Sequence, residues 1–315
     1  DKFDELIRLI QTEASISLNK DFILKVFLVL YSNDVAFKVK NFEDDEFSLV
    51  KKAKLNFDKI SATISGVCRY ANRIDLDNET LRSKYALIPI IYFCYKNDFE
   101  IDNVARGEKN KRLIEIWLKT ALLKGMFGGK PDSVLTAIRK IIDGACGEFP
   151  TKEIINAFRN KSKDVTITRD FIEDKVKGAH YNSAEAHILL SLATRLDPSQ
   201  RYNVDHMYPR SMFRKTELEK IPRLRSDEKL REFYLDKENW DTVGNLQLLN
   251  DSENKSKGGT GLSAWTKAVS RYKWSDYFIP TDEEGNLIVE DDRFKEFVEK
   301  RRELIVDAIM SALTI

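Results

Sequence analysis

Residues 203–209 read Asn203-Val204-Asp205-His206-Met207-Tyr208-Pro209, and residues 244–257 read Gly244-Asn245-Leu246-Gln247-Leu248-Leu249-Asn250-Asp251-Ser252-Glu253-Asn254-Lys255-Ser256-Lys257. The first stretch has the character of a short strand that its proline stops. Leu246, Leu248 and Leu249, entered through Gly244, predict a second strand. Asp251 or Ser252 is placed to cap a short helix carrying Asn254, Lys255 and Lys257. The expected order is strand, long connection, strand, helix, with polar groups from all three elements able to converge.

The residue types suggest a chemistry. Asp205 offers a hard anionic oxygen and Asn254 a neutral amide oxygen, a pair suited to Mg²⁺ or Mn²⁺, which take few protein ligands and keep several waters. His206, with an ordinary pKa of roughly 6.5, can take a proton from water near neutral pH. Successive side chains of a strand point to opposite faces, so Asp205 and His206 can serve one site only at a strand end or bend. Pro209 makes such an end natural. A metal facing the base would hold a phosphate and stabilise a leaving oxygen. On residue types and spacing this is a one-metal phosphodiester hydrolase.

Asp205-His206-x-x-Pro209, then Gly244-Asn245-Leu246-x-Leu248-Leu249, then Asn254-Lys255-x-Lys257 resembles the HNH nuclease domain at the C-terminal end of GmrSD-type restriction endonucleases. The likeness is specific over 203–257 and looser over the helical region before it. It implies that His206 is the general base, that Asp205 is a metal ligand, that Asn245 fastens the loop presenting the base, and that Asn254 completes the metal site. It also implies a mainly α architecture: a helical connector over 1–197, then an HNH ββα-metal nuclease domain over 198–315 embedded in helices. A larger protein is implied too, whose N-terminal part carries a nucleotide-binding sensor of DNA modification with a D-G-Q-Q-R-type motif. No such motif is in this chain, so the choice of substrate, such as modified phage DNA, is expected to lie outside it.

Length and composition set bounds around this reading. The 315 residues predict two domains. A hydrophobic share of 42% with 33% charged residues is that of an ordinary globular protein. No apolar run approaches the roughly 18 residues of a membrane span. The opening Asp1-Lys2-Phe3-Asp4-Glu5 lacks the basic start of a secretory signal, and without an initiator Met the chain is expected to be a fragment or a processed form. Cys68, Cys94 and Cys146 are widely spaced in apolar surroundings, as expected of buried, reduced thiols in a cytoplasmic protein. None lies near 203–257, which excludes a zinc-stapled variant with C-x-x-C pairs.

The net charge is +1, and residues 201–315 carry 20 Lys and Arg against 22 Asp and Glu. Whole-domain charge does not advertise a nucleic-acid binder, so DNA contacts must come from local clusters. The candidates are Arg210, Arg214, Lys215, Arg223, Arg225, Lys255, Lys257, Lys267, Arg271 and Lys273. Lys255 and Lys257 lead, being on the helix of a metal ligand.

Residues 1 to about 200 have helical periodicity throughout. Asp21 is the expected cap of a helix reaching Tyr31, Phe47–Asn72 forms one long helix, and Pro89 kinks or breaks another. Gly128-Gly129-Lys130 is followed by Pro131 and so misses the phosphate-loop spacing. His180 and His187 lack a third ligand at fixed spacing and are expected to be structural. The insert from Pro209 to Gly244 is expected to form two helices, with Trp240 packing on the hairpin. Two other functions fit less of the pattern: a non-catalytic DNA- or protein-binding scaffold of HNH-like shape, and an RNase.

Overall fold

A computed structural model describes residues 1–38, 42, 48–129, 131–194, 196–268 and 274–314. Lys130, Arg271 and Lys273, named above, lie outside the described residues, as do Phe47, Val269 and Tyr272. The chain is mainly helical and divides into two compact units, residues 1–166 and 167–314.

The first unit is built from α1 (Lys2–Ala14), α2 (Lys20–Tyr31), α3 (Ser48–Leu55), α4 (Phe57–Arg73), α5 (Ile88–Lys96), α6 (Glu108–Leu123), α7 (Pro131–Gly144) and α8 (Thr151–Phe158). No strand occurs among its described residues. Asn19, not Asp21, caps α2, its side chain accepting from the Phe22 amide at 2.9 Å. The single helix expected over 47–72 is divided at Asn56, whose backbone N–H and Nδ2 both donate to the Lys52 carbonyl, at 3.1 and 2.9 Å. Pro89 marks a break, as expected: a 3-10 turn over Lys84–Leu87 ends just before it and α5 begins at Ile88. It sits in the first turn of α5, where a missing N–H costs nothing. Cys68 and Cys94 are buried as expected, but Cys146 is exposed.

The second unit begins at Ile167, well before the 197/198 division expected above. Helices α9 (Arg169–Gly178) and α10 (Ala184–Ala193) belong to it, since both pack on the closing helix. Then come β1 (Tyr202–His206), the short helices α11 (Lys215–Leu218), α12 (Pro222–Ser226), α13 (Glu228–Leu235) and α14 (Lys237–Trp240), β2 (Leu246–Asn250), α15 (Asp251–Lys257), α16 (Leu262–Ala268) and α17 (Phe294–Ala312). The two strands pair antiparallel, with Asp205 opposite Gln247 and His206 opposite Leu246. Asn250, not Asp251 or Ser252, caps α15 in a capping box with Glu253.

The insert forms short segments instead of two helices. Pro222 starts α12, and the Asp227 and Asp236 side chains cap α13 and α14, so these three segments have start signals of their own; α11 has no side-chain cap. Its apolar side chains still reach the core. Phe213 stacks on Trp240 with centroids 5.1 Å apart, and Tyr208 meets Phe294 and Phe297 edge-on at 5.2 and 5.0 Å. Tyr208 is thus anchored two residues beyond His206, which fixes where β1 ends.

Candidate active site

His206 is the last residue of β1, and the chain bends at Met207 and Tyr208, ahead of Pro209. This bend lets neighbouring side chains serve one region. It is held by Asn245, whose buried amide accepts from the Tyr208 N–H at 2.9 Å and donates to the carbonyls of Tyr208 at 3.1 Å and Trp240 at 2.9 Å. Asn245 thus ties the bend after β1 to the chain before β2.

Asn245 is itself set by the closing helix. The fully buried Arg301 guanidinium donates to the carbonyls of Val243 at 3.0 Å, Gly244 at 2.9 Å and Tyr277 at 3.0 Å. Gly244 permits the approach: a Cβ there would meet Val298 Cγ2 at 2.5 Å and Arg302 Nε at 2.9 Å.

His206 has a partner that its neighbours in sequence do not reveal. Its Nε2 lies 2.9 Å from Asp241 Oδ1, with the two residues 6% and 3% exposed. An ionised carboxylate only accepts, so Nε2 carries the proton and Nδ1 keeps its lone pair. Burial lowers the imidazole pKa below its ordinary value; the hydrogen bond to Asp241 opposes this, and the positive Arg210 adds to it. The ring is therefore neutral, and basic at Nδ1, near pH 7. Burial pushes the Asp241 carboxyl up, but the hydrogen bonds of His206 and Lys237 outweigh it and hold the group below its usual value.

The imidazole lies against the Tyr181 ring with centroids 4.6 Å apart, and the Arg210 guanidinium lies over that ring at 4.4 Å. Arg210 also touches Asp241 at 3.4 Å and is itself largely exposed. Tyr181 comes from the region the sequence assigned to the connector. The Tyr181 N–H donates to the Asp241 carbonyl at 2.8 Å, the Val243 N–H to the Ala179 carbonyl at 3.1 Å, and His180 bridges Thr242. The His180 backbone thus holds this segment beside the site, and its neighbour Tyr181 lies against the His206 ring.

The Asp205 side chain is arranged differently on its two oxygens. Oδ2 meets the Lys257 ammonium at 2.8 Å and accepts from Gln247 Nε2 at 3.2 Å, whereas Oδ1 has no hydrogen bond among the described residues. Lys257 also donates to the His206 carbonyl at 2.7 Å and is 1% exposed. It is an internal counter-ion tying α15 to β1, where a surface contact to phosphate was expected. Lys255 is exposed. Asn254 lies three residues before Lys257, on the same face of α15, half-buried and without a side-chain hydrogen bond among the described residues.

Among the described residues no three His, Cys, Asp or Glu side chains gather as a metal cage. The two residues expected to hold a metal, Asp205 and Asn254, lie on β1 and on α15 respectively. Asp205 Oδ1, a hard anionic oxygen without a hydrogen bond among the described residues, suits a divalent ion that takes few protein ligands and keeps most of its waters. No protein-family model matches the chain, and no curated protein is similar to it. Sequence reading named Asp205, His206, Asn245 and Asn254 and missed Asp241, Tyr181 and Gln247. For Asp241 the available signal was a carboxylate four residues before Asn245, with nothing to mark it as buried. Among the described residues no helix is long and apolar enough to cross a membrane.

Proposed function

We propose that the chain is a metal-dependent endonuclease of HNH type, acting on DNA in a restriction or phage-defence setting. One observation carries this reading: a buried Asp241–His206 pair in which Nδ1 of a neutral imidazole has no partner among the described residues, next in sequence to a carboxylate with one oxygen likewise unpartnered among them. Core histidines usually satisfy both ring nitrogens, whereas a base must keep one lone pair for its substrate.

In this mechanism His206 Nδ1 takes a proton from water as the oxygen forms its bond to phosphorus and the phosphodiester bond opposite breaks. Asp241 keeps the ring in the required tautomer and stabilises the imidazolium that forms. Asn245 holds the bend that aims the ring. Asp205 and Asn254 would hold a Mg²⁺ or Mn²⁺ ion, whose chemistry is Lewis-acid stabilisation of the phosphoryl and leaving oxygens. Arg210, exposed beside the base and braced on Tyr181, offers guanidinium donors to a phosphate.

A second reading has its own support. The Lys257–Asp205 contact neutralises the carboxylate internally, as a non-catalytic scaffold would need. Plasmid nicking in Mg²⁺ or Mn²⁺, with RNA in parallel, separates them. His206→Ala retains its fold and DNA binding and loses about 10²–10⁴-fold in nicking rate, and excess metal does not restore it. Asp205→Ala is partly restored by excess metal. Near-wild-type nicking by a folded His206→Ala protein overturns the mechanism.

A further inference from the structure

Gln247 occupies a position that apolar residues fill on either side of it. Its strand neighbours are Leu246, Leu248 and Leu249, and its own side chain is 2% exposed. Filling space there needs no amide. An amide in that place must desolvate a donor pair and an acceptor, and the acceptor, Oε1, is buried with no partner among the described residues. Buried polar atoms are nearly always satisfied, so this one calls for a physical reason.

The other half of the amide supplies it. Gln247 faces Asp205 directly across the antiparallel pair, and Nε2 donates to Asp205 Oδ2 at 3.2 Å. Turning the amide over would set its oxygen against the carboxylate, so the nitrogen belongs on that side. The Lys257 ammonium meets the same Oδ2 at 2.8 Å. An ammonium on a flexible stem is a point charge that either carboxylate oxygen can satisfy. A second donor on the same oxygen, rooted in the opposite strand, selects one rotation of the carboxylate about its Cβ–Cγ bond. Oδ2 is then committed to the protein and Oδ1 is left open.

We infer that Gln247 is a positioning residue for the divalent-ion site: its amide holds Asp205 so that Oδ1 is presented for coordination, at the expense of an unpartnered oxygen in the core. This rests on the reading of Asp205 as a metal ligand. Ligating carboxylates are generally aimed by such hydrogen bonds, and losing one typically weakens metal binding about 10–100-fold.

The inference makes stability and metal affinity move in opposite senses. Gln247→Leu and Gln247→Met keep similar volume, remove the orphaned oxygen and remove the donor to Asp205. Mn²⁺ binding is measured by paramagnetic resonance titration on the full chain without DNA, beside thermal melting. Both variants are expected to melt at or above the wild-type temperature and to bind Mn²⁺ about tenfold or more weakly. Variants that melt lower and bind Mn²⁺ as wild type does would make Gln247 a packing residue and overturn the inference. If wild-type binding is abolished by Asp205→Ala and unaffected in the Gln247 variants, the inference fails and the metal-site reading stands. If the wild type binds no Mn²⁺ through Asp205, both fail.

Discussion

Nε2 of His206 donates to Oδ1 of Asp241 at 2.9 Å, across 35 positions of sequence, and both side chains are buried. Asp241→Ala leaves a buried imidazole N–H without an acceptor, at a cost of about 1–3 kcal/mol. It also frees the ring to place its proton on Nδ1, which removes part of the ~10²–10⁴-fold that a positioned base supplies. Asp241→Asn keeps a carbonyl for Nε2–H and loses only the charge, so it should lie between wild type and alanine. Nicking rates, with nitrogen chemical shifts of the imidazole to report the tautomer, check the order. Equal rates for Asp241→Ala and wild type would separate Asp241 from the chemistry.

The same carboxylate has a signature in acid. Burial raises its pKa, but His206 and Lys237 outweigh burial and hold it below its ordinary value of 3.8. The folded value is thus below the unfolded one. The unfolded chain binds the proton first on acidification, so the stability Asp241 contributes is complete above about pH 4 and is lost as pH falls through its folded pKa. Wild type should exceed Asp241→Asn in melting temperature at neutral pH, and the gap should close below pH 4. A gap constant down to pH 2 contradicts the assignment.

Gly244 is the point where α17 comes closest to the loop of Asn245. Alanine there puts a methyl group 2.5 Å from Val298 Cγ2 and 2.9 Å from Arg302 Nε. One contact is with a branched side chain held in the core, so relief requires moving the helix or the loop. Gly244→Ala is expected to cost about 1–3 kcal/mol in urea unfolding, as overpacking does. Nicking should fall further than the unfolded fraction explains, because the carbonyls held by Arg301 adjoin Asn245. Gly244→Ala with wild-type stability would mean that the closing helix yields freely.

What was legible was local. The short stretch stopped by Pro209 revealed β1, the leucines after Gly244 revealed β2, and the Asp205-His206 pair at the end of β1 could be named in advance. What was missed depends on contacts between distant residues. Asp241 meets His206 only because the charged insert folds back as a run of short helices. The Asp197-Pro198 turn is a real break in the helices, but α9 and α10 pack on α17, more than a hundred residues on, and no local pattern records that. Lys257 ends the wholly polar run Asp251–Lys257 and has the look of a solvated residue. It is buried because Asp205 and the His206 carbonyl wait across the hairpin to receive its ammonium.

That contrast separates the two lysines of α15 in a single experiment. Lys255 is exposed and free to meet a phosphate, whereas Lys257 is 1% exposed and spent on Asp205. Each phosphate neutralised contributes about 0.9 to the slope of log affinity against log salt. Lys255→Ala should therefore reduce that slope by about 1 in fluorescence-anisotropy titrations of duplex DNA without metal. Lys257→Met should leave the slope unchanged and act on stability. It strips a partly buried carboxylate of its counter-ion and leaves Gln247 as its donor, a loss near the lower end of the 3–5 kcal/mol typical of a broken buried pair, or about 3 kcal/mol. Asp205 keeps a side-chain exposure of 21%, which is why the lower end applies. A folded Lys257→Met protein with a reduced salt slope would show that this ammonium leaves Asp205 for the DNA backbone.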